Sequence, residues 1–457
     1  ECRLLWMLAG GCRAVGQSIL RGNGISARPA LRLLLALTAS QAASCFLLHT
    51  ARAFTHRSSS DFLTSSTRTR SAAGKRACAT AAMSSSSDLS AFLKESRDGA
   101  MSFLKGQTPA DTSLVLVMGN EACDADSAAS AITLAYAASI GKLPVLVPHG
   151  KVLVTPVINI PREDLNLRQD VVFMLKEAGV DSADLVFFPE LPEERLREML
   201  SSKGLKLILT DHNKLGVAQS WLSSAVIGVV DHHEDTGSYK DAALRVVDDK
   251  IGTCCALVAR EMVGGGDDLG ALRGTFGKEV ALLLGAALVL DTRLFKGKCT
   301  DLDRALGRAL GYLEGEEASG VAAGRMKKLS EAREDVRGLT SNERLRKDYK
   351  RWGEGAKAYG IATVPCSLHD WKADDPNWVS EVAAYGSKEG LPLILTMHTY
   401  TDTHGAFRRQ LSVHSTDAAL LAACCTHLEA PDHPAVLDAT GDGSLKLERV
   451  DIGGGGG

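Results

Sequence analysis

The hydrophobic pattern in the middle of the chain alternates between two kinds of segment. One kind is a short, continuous apolar run, and the other is a longer Ala-rich or amphipathic stretch with a helical period. Continuous apolar strands are typical of a parallel sheet that helices cover on both faces. The pattern therefore predicts an α/β fold with a mostly parallel sheet. The predicted strands are 113–120, 143–148, 183–188, 205–213 and 225–233, and the predicted helices are 126–141, 170–180, 252–266 and 279–292.

The pattern weakens at GYLEGEEASGVAAGR (311–325), which is rich in Gly, Ala and Glu. We place a linker at 316–330, between a first domain at 83–315 and a smaller second domain at 331–450. The second domain has predicted strands at 360–367 and 391–400 and a hairpin-like segment at 401–415. The glycines of 451–457 are expected to be a flexible tail.

The first 82 residues differ from the rest in charge. Their net charge is +9, whereas the remaining residues carry −12. An apolar stretch at 29–48 is followed by a tract rich in Ser, Thr and Arg, as in organellar transit peptides. Residues 1–82 resemble the bipartite presequences of secondary-plastid algae, which implies a plastid or mitochondrial location. The alternative is that translation starts at Met83, so that 1–82 is an artefactual extension and the protein is cytoplasmic.

The 11 cysteines are scattered and form no C-x-x-C motif, which favours reduced thiols over a disulfide framework. Two cysteine doublets, 254–255 and 424–425, lie in apolar runs, so we expect them in the core. Beyond residue 82 no segment is long and apolar enough to cross a bilayer. We therefore expect no membrane span in the mature chain.

Ionisable side chains follow several of the apolar segments. Sites in parallel α/β sheets form just outside the carboxyl ends of the strands. Carboxylates gathered there repel one another unless cations lie between them, and oxygen mixed with imidazole nitrogen suits Mn²⁺, Mg²⁺ or Co²⁺ better than a thiolate zinc site. Taken one motif at a time, a helix cap or a structural hydrogen-bond cluster is the alternative. The candidate residues are Asp124, Asp126, Asp211, Asp231, His232, His233 and Asp291.

Five motifs, taken in order, resemble those of the DHH phosphoesterase superfamily. They are GNEACDADS, TDHN, VVDHHED, GTCC and LLLGAALVLDT. PVINIPRED (156–164), RLRKDYKRW (344–352) and FRRQL (407–411) are similar to the branch that holds exopolyphosphatases and prune-type proteins. The resemblance covers roughly residues 85–450. It implies an N-terminal DHH domain and a smaller α/β domain of the DHHA2 type, with the active site in the cleft between them.

The resemblance also implies two divalent cations, Mn²⁺ or Mg²⁺, with Co²⁺ as a further candidate. Asp124 and Asp291 would hold one cation, and Asp126 and His232 would hold the other. Asp211 would bridge the two. A pair of cations of this kind activates a water for attack on phosphorus.

Three further residues have two alternative roles each under the resemblance. Asn120 stands where related pyrophosphatases have a metal-binding His, so it is either a weaker metal ligand or only orients one. His233 is assigned to substrate phosphate or to proton transfer. Asp231 acts in catalysis either directly or by orienting an imidazole.

Basic residues of the second domain are the candidates for binding substrate phosphates. The chain beyond residue 82 is net acidic, so long-range attraction of an anionic substrate does not follow from its charge and local clusters must provide it. From the family pattern we expect Arg409 first, then Lys347, with Arg346 and Arg408 after them. The alternative is that these residues form solvated faces.

Three functions remain open from the sequence. The first is an exopolyphosphatase that releases orthophosphate from the ends of inorganic polyphosphate. The second is a hydrolase of short substrates such as tripolyphosphate, pyrophosphate or a nucleotide, and the third is a non-catalytic, prune-like interaction protein. The intact acids and the complete D-H-H motif favour an active enzyme. The single-strand nucleases of the superfamily have a different C-terminal signature, so we expect no nucleic acid partner.

Overall fold

The computed structural model describes residues 89–109, 111–143, 151–355 and 358–428, together with the backbone of 446–451. The N-terminal tract 1–82, Met83, most of the predicted strand at 143–148 and nearly all of the Gly tail lie outside the described residues. The chain divides into two units, one of which comprises 86–335 while the other contains 336–457.

The first unit is built on a six-stranded sheet. Its strand order is β3-β2-β1-β4-β5-β6, and every neighbouring pair is parallel. The α/β class and the parallel sheet predicted from the hydrophobic pattern are therefore confirmed. The strands are β1 (Thr112–Met118), β2 (Lys151–Ile158), β3 (Val186–Phe187), β4 (Leu205–Thr210), β5 (Val226–Asp231) and β6 (Leu244–Val247).

Helices connect these strands and cover the sheet. One apolar cluster includes Val115 and Val117 of β1, and a second includes Leu114 and Leu116, so alternate residues of one strand serve two cores. Sheets buried on both faces have this pattern. The helices are α1 (Leu89–Leu104), α2 (Ala125–Ser139), α3 (Gln169–Glu177), α4 (Glu193–Ser201), α5 (Cys254–Met262), α6 (Leu272–Thr275), α7 (Lys278–Asp291) and α8 (Asp301–Leu310), and 3₁₀ segments lie at Arg162–Leu167, Ser182–Asp184, Phe188–Glu190, Val217–Ala225 and Leu269–Ala271.

The segment predicted as a linker, 316–330, has regular structure. It contains β8 (Glu317–Ala318), which pairs with β7 (Leu313–Glu314), and most of helix α9 (Gly320–Glu334). Ser319 caps α9 by accepting from the amide of Ala322, and Leu329 is fully buried against the first core. The low apolar content of 311–325 reflects a helix that buries only a few residues. The division between the two units falls later, after Asp335.

The second unit has a five-stranded mixed sheet in the order β13-β12-β11-β10-β9. The predicted hairpin is formed by β11 and β12, which pair antiparallel, whereas β10 and β11 are parallel. No helix among the described residues combines the length and the apolar character that crossing a bilayer needs. The elements are α10 (Ser341–Lys347), β9 (Tyr349–Trp352), β10 (Tyr359–Val364), α11 (Leu368–Asp374), α12 (Trp378–Glu389), β11 (Leu393–Thr401), β12 (Phe407–Ser415), α13 (Ala418–Leu428) and β13 (Lys446–Asp451).

Candidate metal centre and active site

The candidate site lies at the carboxyl ends of three adjacent strands of the first unit. From β1 the chain continues to β2 on one side, whereas β4 lies on the other, so the strand order reverses there. In open α/β sheets such a switch point is where ligands bind. Asp211 directly follows β4, and Asp231 is the last residue of β5. The loop after β1 carries Asn120 and Asp124 and leads into the first turn of α2, which carries Asp126.

Asp126 lies in the first turn of α2 and is held by the N-terminus of α5. Its Oδ2 accepts from the amide of Cys254 at 2.6 Å, and its Oδ1 accepts from the amide of Cys255 at 2.9 Å. The hydroxyl of Ser130 also donates to Oδ1, at 3.3 Å. Amides at a helix N-terminus favour a negative charge, so these contacts stabilise a buried carboxylate.

Asp124 is the N-cap of α2, and its Oδ1 accepts from the amide of Ser127 at 3.0 Å. Asp124 therefore has the capping role that the helix-cap alternative predicts, while its assignment as a metal ligand stays a prediction. Asp126 is the member of the pair that groups with His232 and Asp291 as potential ligands. Burial, followed by the nearby charge of Asp126, raises the pKa of Asp124.

His232 directs an imidazole lone pair toward two carboxylates. Its Nδ1 lies 3.3 Å from the carbonyl oxygen of Ile251, so the neutral ring carries its proton there. Its Nε2 lies 3.2 Å from Oδ1 of Asp211 and 3.6 Å from Oδ2 of Asp126. A lone pair facing carboxylate oxygens is repulsive without a proton or a cation between them.

Asp211 occupies a strained position, because its φ of 62° lies in the left-handed region that non-glycine residues avoid. Its side chain is buried, and Oδ1 has no hydrogen-bond donor. The amide nitrogen of Asn120 donates to Oδ2 at 2.9 Å, while Oδ1 of Asn120 accepts from the amides of Ala122 and Cys123. In this arrangement the Asn120 oxygen is committed to its own loop, and the side chain orients Asp211.

His233 is fixed through one nitrogen and exposed at the other end of its ring. Its Nδ1 donates to Oδ1 of Asp231 at 2.8 Å, and its side chain is 56% exposed. Asp231 is fully buried and also accepts from Asn213, at 2.5 Å. Although burial acts to raise the pKa of Asp231, the hydrogen bonds from His233 and Asn213 hold it below its ordinary value. The same bond to Asp231 raises the pKa of His233.

Asp291 ends helix α7 and has an Oδ2 without a hydrogen-bond donor. Burial, followed by the charge of Asp126, raises its pKa strongly. Burial and the same neighbour also raise the pKa of Asp211 well above its ordinary value. These buried acids are therefore unfavourable as anions in the absence of a counter-charge.

The donor set fits divalent cations. Two groups of potential ligand atoms converge, one from Asp126, His232 and Asp291 and the other from Asp211, His232 and His233. The buried carboxylate oxygens of Asp211 and Asp291 that lack donors are acceptors for which a cation is the natural partner. His232 belongs to both groups, whereas Asp124 and Asn120, which the sequence also nominated as ligands, belong to neither.

The four basic residues predicted to bind phosphate lie in the second unit. Arg346 and Lys347 end helix α10, and Arg408 and Arg409 lie on β12. Arg408 donates to Asp402 at 2.7 Å. Arg409 is exposed and stacks over the ring of Phe407 at 5.3 Å. Because neighbours in a strand point to opposite faces, Arg408 and Arg409 serve different sides of the sheet.

Sequence reasoning missed the groups that hold the site in place. The amides of Cys254 and Cys255 carry no side-chain signal, although GTCC at the start of a predicted helix indicates where a carboxylate can bind. Asn213, in the TDHN motif, fixes Asp231 and accepts from Thr236. The cysteine side chains themselves are buried in the core, as predicted.

Comparisons with known proteins identify both units. The model of the DHH family, N-terminal domain, matches residues 114–287, and that of the DHHA2 domain matches residues 327–451. Exopolyphosphatase PRUNE1 of Rattus norvegicus is 30% identical over 332 residues, which span 71% of this chain and 68% of that protein. Its counterpart in Homo sapiens is 28% identical over 330 residues, 70% of this chain and 67% of that protein. The manganese-dependent inorganic pyrophosphatase of Methanocaldococcus jannaschii is 27% identical over 251 residues, 54% of this chain and 70% of that protein.

Proposed function

The chain belongs to the DHH family and carries a DHHA2 domain, and from this premise we propose that it is a metal-dependent exopolyphosphatase. It would hydrolyse the terminal phosphoanhydride bond of inorganic polyphosphate. Water adds across that bond, so that orthophosphate leaves and the chain becomes shorter by one phosphate. The observation that carries the proposal is the convergence of the His232 lone pair with the unpaired oxygens of Asp211 and Asp291.

Asp126, Asp211, His232 and Asp291 would hold the cations, which we propose to be two, Mn²⁺ or Mg²⁺. Bound there, such cations lower the pKa of a water and neutralise charge on the phosphoryl oxygens. The pyrophosphatase relative is manganese-dependent by name, which favours Mn²⁺ as the first cation to test. The amides at the N-terminus of α5 orient Asp126 through hydrogen bonds, and the side chain of Asn120 orients Asp211 in the same way.

His233 is the proposed proton-transfer residue. Its Nδ1 is bound by Asp231, so the ring orientation is fixed and Nε2 is the nitrogen free to meet a phosphate. A protonated His233 can hydrogen-bond a phosphoryl oxygen. It can also give a proton to the bridging oxygen of the shortened polyphosphate chain, which is the leaving group. The raised pKa keeps more of the ring protonated near neutral pH than an isolated imidazole would be.

Binding of the negatively charged substrate is assigned to basic residues of the second unit. We propose that Arg409 and Lys347 bind phosphate oxygens, with Arg346 assisting them. Arg408, which points to the opposite face from Arg409 and donates to Asp402, is the least favoured of the four. Arginine pairs with phosphate through two parallel hydrogen bonds, and lysine acts as a point charge. The exposure of Arg409 is compatible with that role.

A second candidate is a hydrolase restricted to short phosphoanhydrides. The similarity to a pyrophosphatase over about half of the chain favours it. Replacement of the pyrophosphatase His by Asn120 counts against an identical metal shell.

The test is hydrolysis by the full chain with Mn²⁺ or Mg²⁺, measured as phosphate release from long polyphosphate, tripolyphosphate and pyrophosphate and as AMP formation from cyclic AMP. Asp211→Ala is the control. We expect metal-dependent release from long chains that is lost in Asp211→Ala. Turnover confined to the short substrates would favour the second candidate. No turnover of any of them would favour a non-catalytic, prune-like interaction protein.

A further inference from the structure

Asp303, in the first turn of α8, has a fully buried carboxylate. It belongs to neither of the two groups of potential metal ligands. Its Oδ2 accepts from the amide of Gly252 at 2.9 Å and from the amide and hydroxyl of Thr300 at 2.7 and 2.8 Å. Its Oδ1 accepts from the amide of Thr253 at 3.2 Å. One buried carboxylate therefore joins the start of α8 to a turn some 50 residues earlier in the chain.

That turn leads directly into the N-terminus of α5. Gly252 and Thr253 precede Cys254 and Cys255, whose amides bind the two oxygens of Asp126. A displacement of the turn thus moves the donors that orient Asp126.

The turn also has no spare room on its other side. A Cβ on Gly252 would lie 2.5 Å from the carbonyl oxygen of Lys298 and 2.9 Å from the Thr292 methyl group. Thr292 directly follows Asp291, which is also a proposed cation ligand. The segment that packs against the turn therefore begins next to that ligand. The Gly252–Thr253 turn is fixed by packing against 292–298 and by hydrogen bonds to Asp303.

We propose that Asp303 is a positioning residue for the metal centre. It fixes the Gly252–Thr253 turn, so that the α5 amides hold Asp126 in the orientation that binds a cation. The inference rests on one part of the proposed function, namely that the cluster around Asp126 and His232 binds Mn²⁺ or Mg²⁺. Loss of a hydrogen-bonding partner behind a metal ligand typically weakens metal binding by about 10–100-fold.

The experiment measures the dissociation constant for Mn²⁺ by titration calorimetry on the full chain, in Asp303→Asn and in the wild type. We expect at least about tenfold weaker binding in Asp303→Asn. Two variants separate positioning from helix capping. Asp301→Asn changes an exposed acid in the same turn of α8. Thr300→Ala removes the capping hydroxyl and leaves in place the hydrogen bonds that the amides of Gly252 and Thr253 donate to Asp303.

Both controls are expected to bind Mn²⁺ as the wild type does, although Thr300→Ala should be less stable in urea. If Asp303→Asn does not fold, Gly252→Ala displaces the same turn while Asp303 keeps its carboxylate, because the added Cβ would lie 2.5 Å from the carbonyl oxygen of Lys298 and 3.0 Å from Oδ2 of Asp303. It should weaken Mn²⁺ binding in the same direction. Equal Mn²⁺ affinity in the wild type and in the folded variant overturns the inference and leaves the proposed function standing. Tight Mn²⁺ binding by a wild type that releases no phosphate overturns the proposed function and leaves the positioning role. A wild type that binds no Mn²⁺ overturns both.

Discussion

His233 and its neighbour His232 differ in how their rings are held, although they are adjacent in the sequence. His232 gives its Nδ1 proton to a backbone carbonyl and turns Nε2 inward, where the side chain is 13% exposed. His233 gives its Nδ1 proton to Asp231 and turns outward, with 56% exposure. The partner of Nδ1 thus decides which nitrogen faces the site. One imidazole is suited to a cation and the other to a substrate.

The residue-scale prediction concerns His233→Gln. Proton transfer by a positioned side chain is worth about 10²–10⁴-fold in rate, so we expect kcat for tripolyphosphate to fall by about 10²-fold or more. Mn²⁺ affinity should stay at the wild-type value, because the proposed ligands are untouched. His404→Gln, an exposed histidine in the β11–β12 turn, is the matched control. A His233→Gln enzyme with wild-type kcat would remove His233 from the chemistry.

At the scale of elements, helix α7 carries Asp291 and packs closely against its neighbours. A Cβ on Gly285 would lie 2.6 Å from the Tyr312 ring and hydroxyl, and that hydroxyl accepts from the buried Arg325 at 2.6 Å. The glycine is required by close packing, since the Tyr312 ring is not free to move away. Gly324 in α9 is the opposite case, with no atom within 4 Å of a built Cβ.

The element-scale prediction contrasts these two helical glycines. Gly285→Ala should lower the free energy of unfolding by about 1–3 kcal/mol, as overpacking a core does. Gly324→Ala should raise it by about 0.5–1 kcal/mol, because alanine loses less backbone entropy in a helix. Urea unfolding followed by circular dichroism measures both. A Gly285→Ala variant with a higher free energy of unfolding than the wild type would show that the Tyr312 ring moves away without loss of stability.

Regular elements were predictable where local pattern and burial agree. The buried strands β4 and β5 and the helices α2 and α7 follow from continuous apolar runs. Helix α9 did not, because it buries few residues and its glycines and acids imitate a linker. In the site, the ligand types follow from the acids and histidines at the strand ends. The hydrogen bonds that the amides of Cys254 and Cys255 donate to Asp126, and the one that Thr253 donates to Asp303, span 50 or more residues, and no local pattern encodes them.

At the scale of the whole molecule, the second unit contains a buried polar chain that runs through two histidines. His414 Nε2 donates to Ser412 at 2.9 Å, Ser412 to Thr396, and Thr396 to Nε2 of His398 at 3.0 Å. His398 Nδ1 then donates to the carbonyl of Cys366 at 3.0 Å. The chain is complete only with both rings neutral, and Nδ1 of His414 has no partner to accept a further proton.

This arrangement predicts acid sensitivity of the second unit. Burial lowers the pKa of His398 to about 4 and that of His414 to about 3. In the unfolded chain both rings titrate near 6.5, so below that pH the unfolded chain binds protons that the folded unit does not. The free energy of unfolding of this unit should have its full value above about pH 6.5 and should decrease as the pH falls toward 4.

Trp371 and Trp378 pack against the two rings, each with ring centroids 5.7 Å apart. Tryptophan fluorescence is therefore followed in a Trp221→Phe background, which removes the tryptophan of the first unit's 3₁₀ segment. Urea midpoints at pH 7.5, 6.0 and 5.0 should decrease in that order. His414→Gln should flatten the dependence, because one of the two titrating rings is gone. Equal midpoints at pH 7.5 and 5.0 in the wild type would contradict the prediction.

The central claim is that the acids and His232 at the ends of β1, β4, β5 and α7 bind divalent cations. The most direct measurement is anomalous diffraction from crystals soaked in Mn²⁺. We predict two manganese peaks within coordinating distance of Asp126, Asp211, His232 and Asp291, both lost in Asp211→Asn crystals. Absence of manganese from this cluster, or peaks confined to surface carboxylates, would contradict the account.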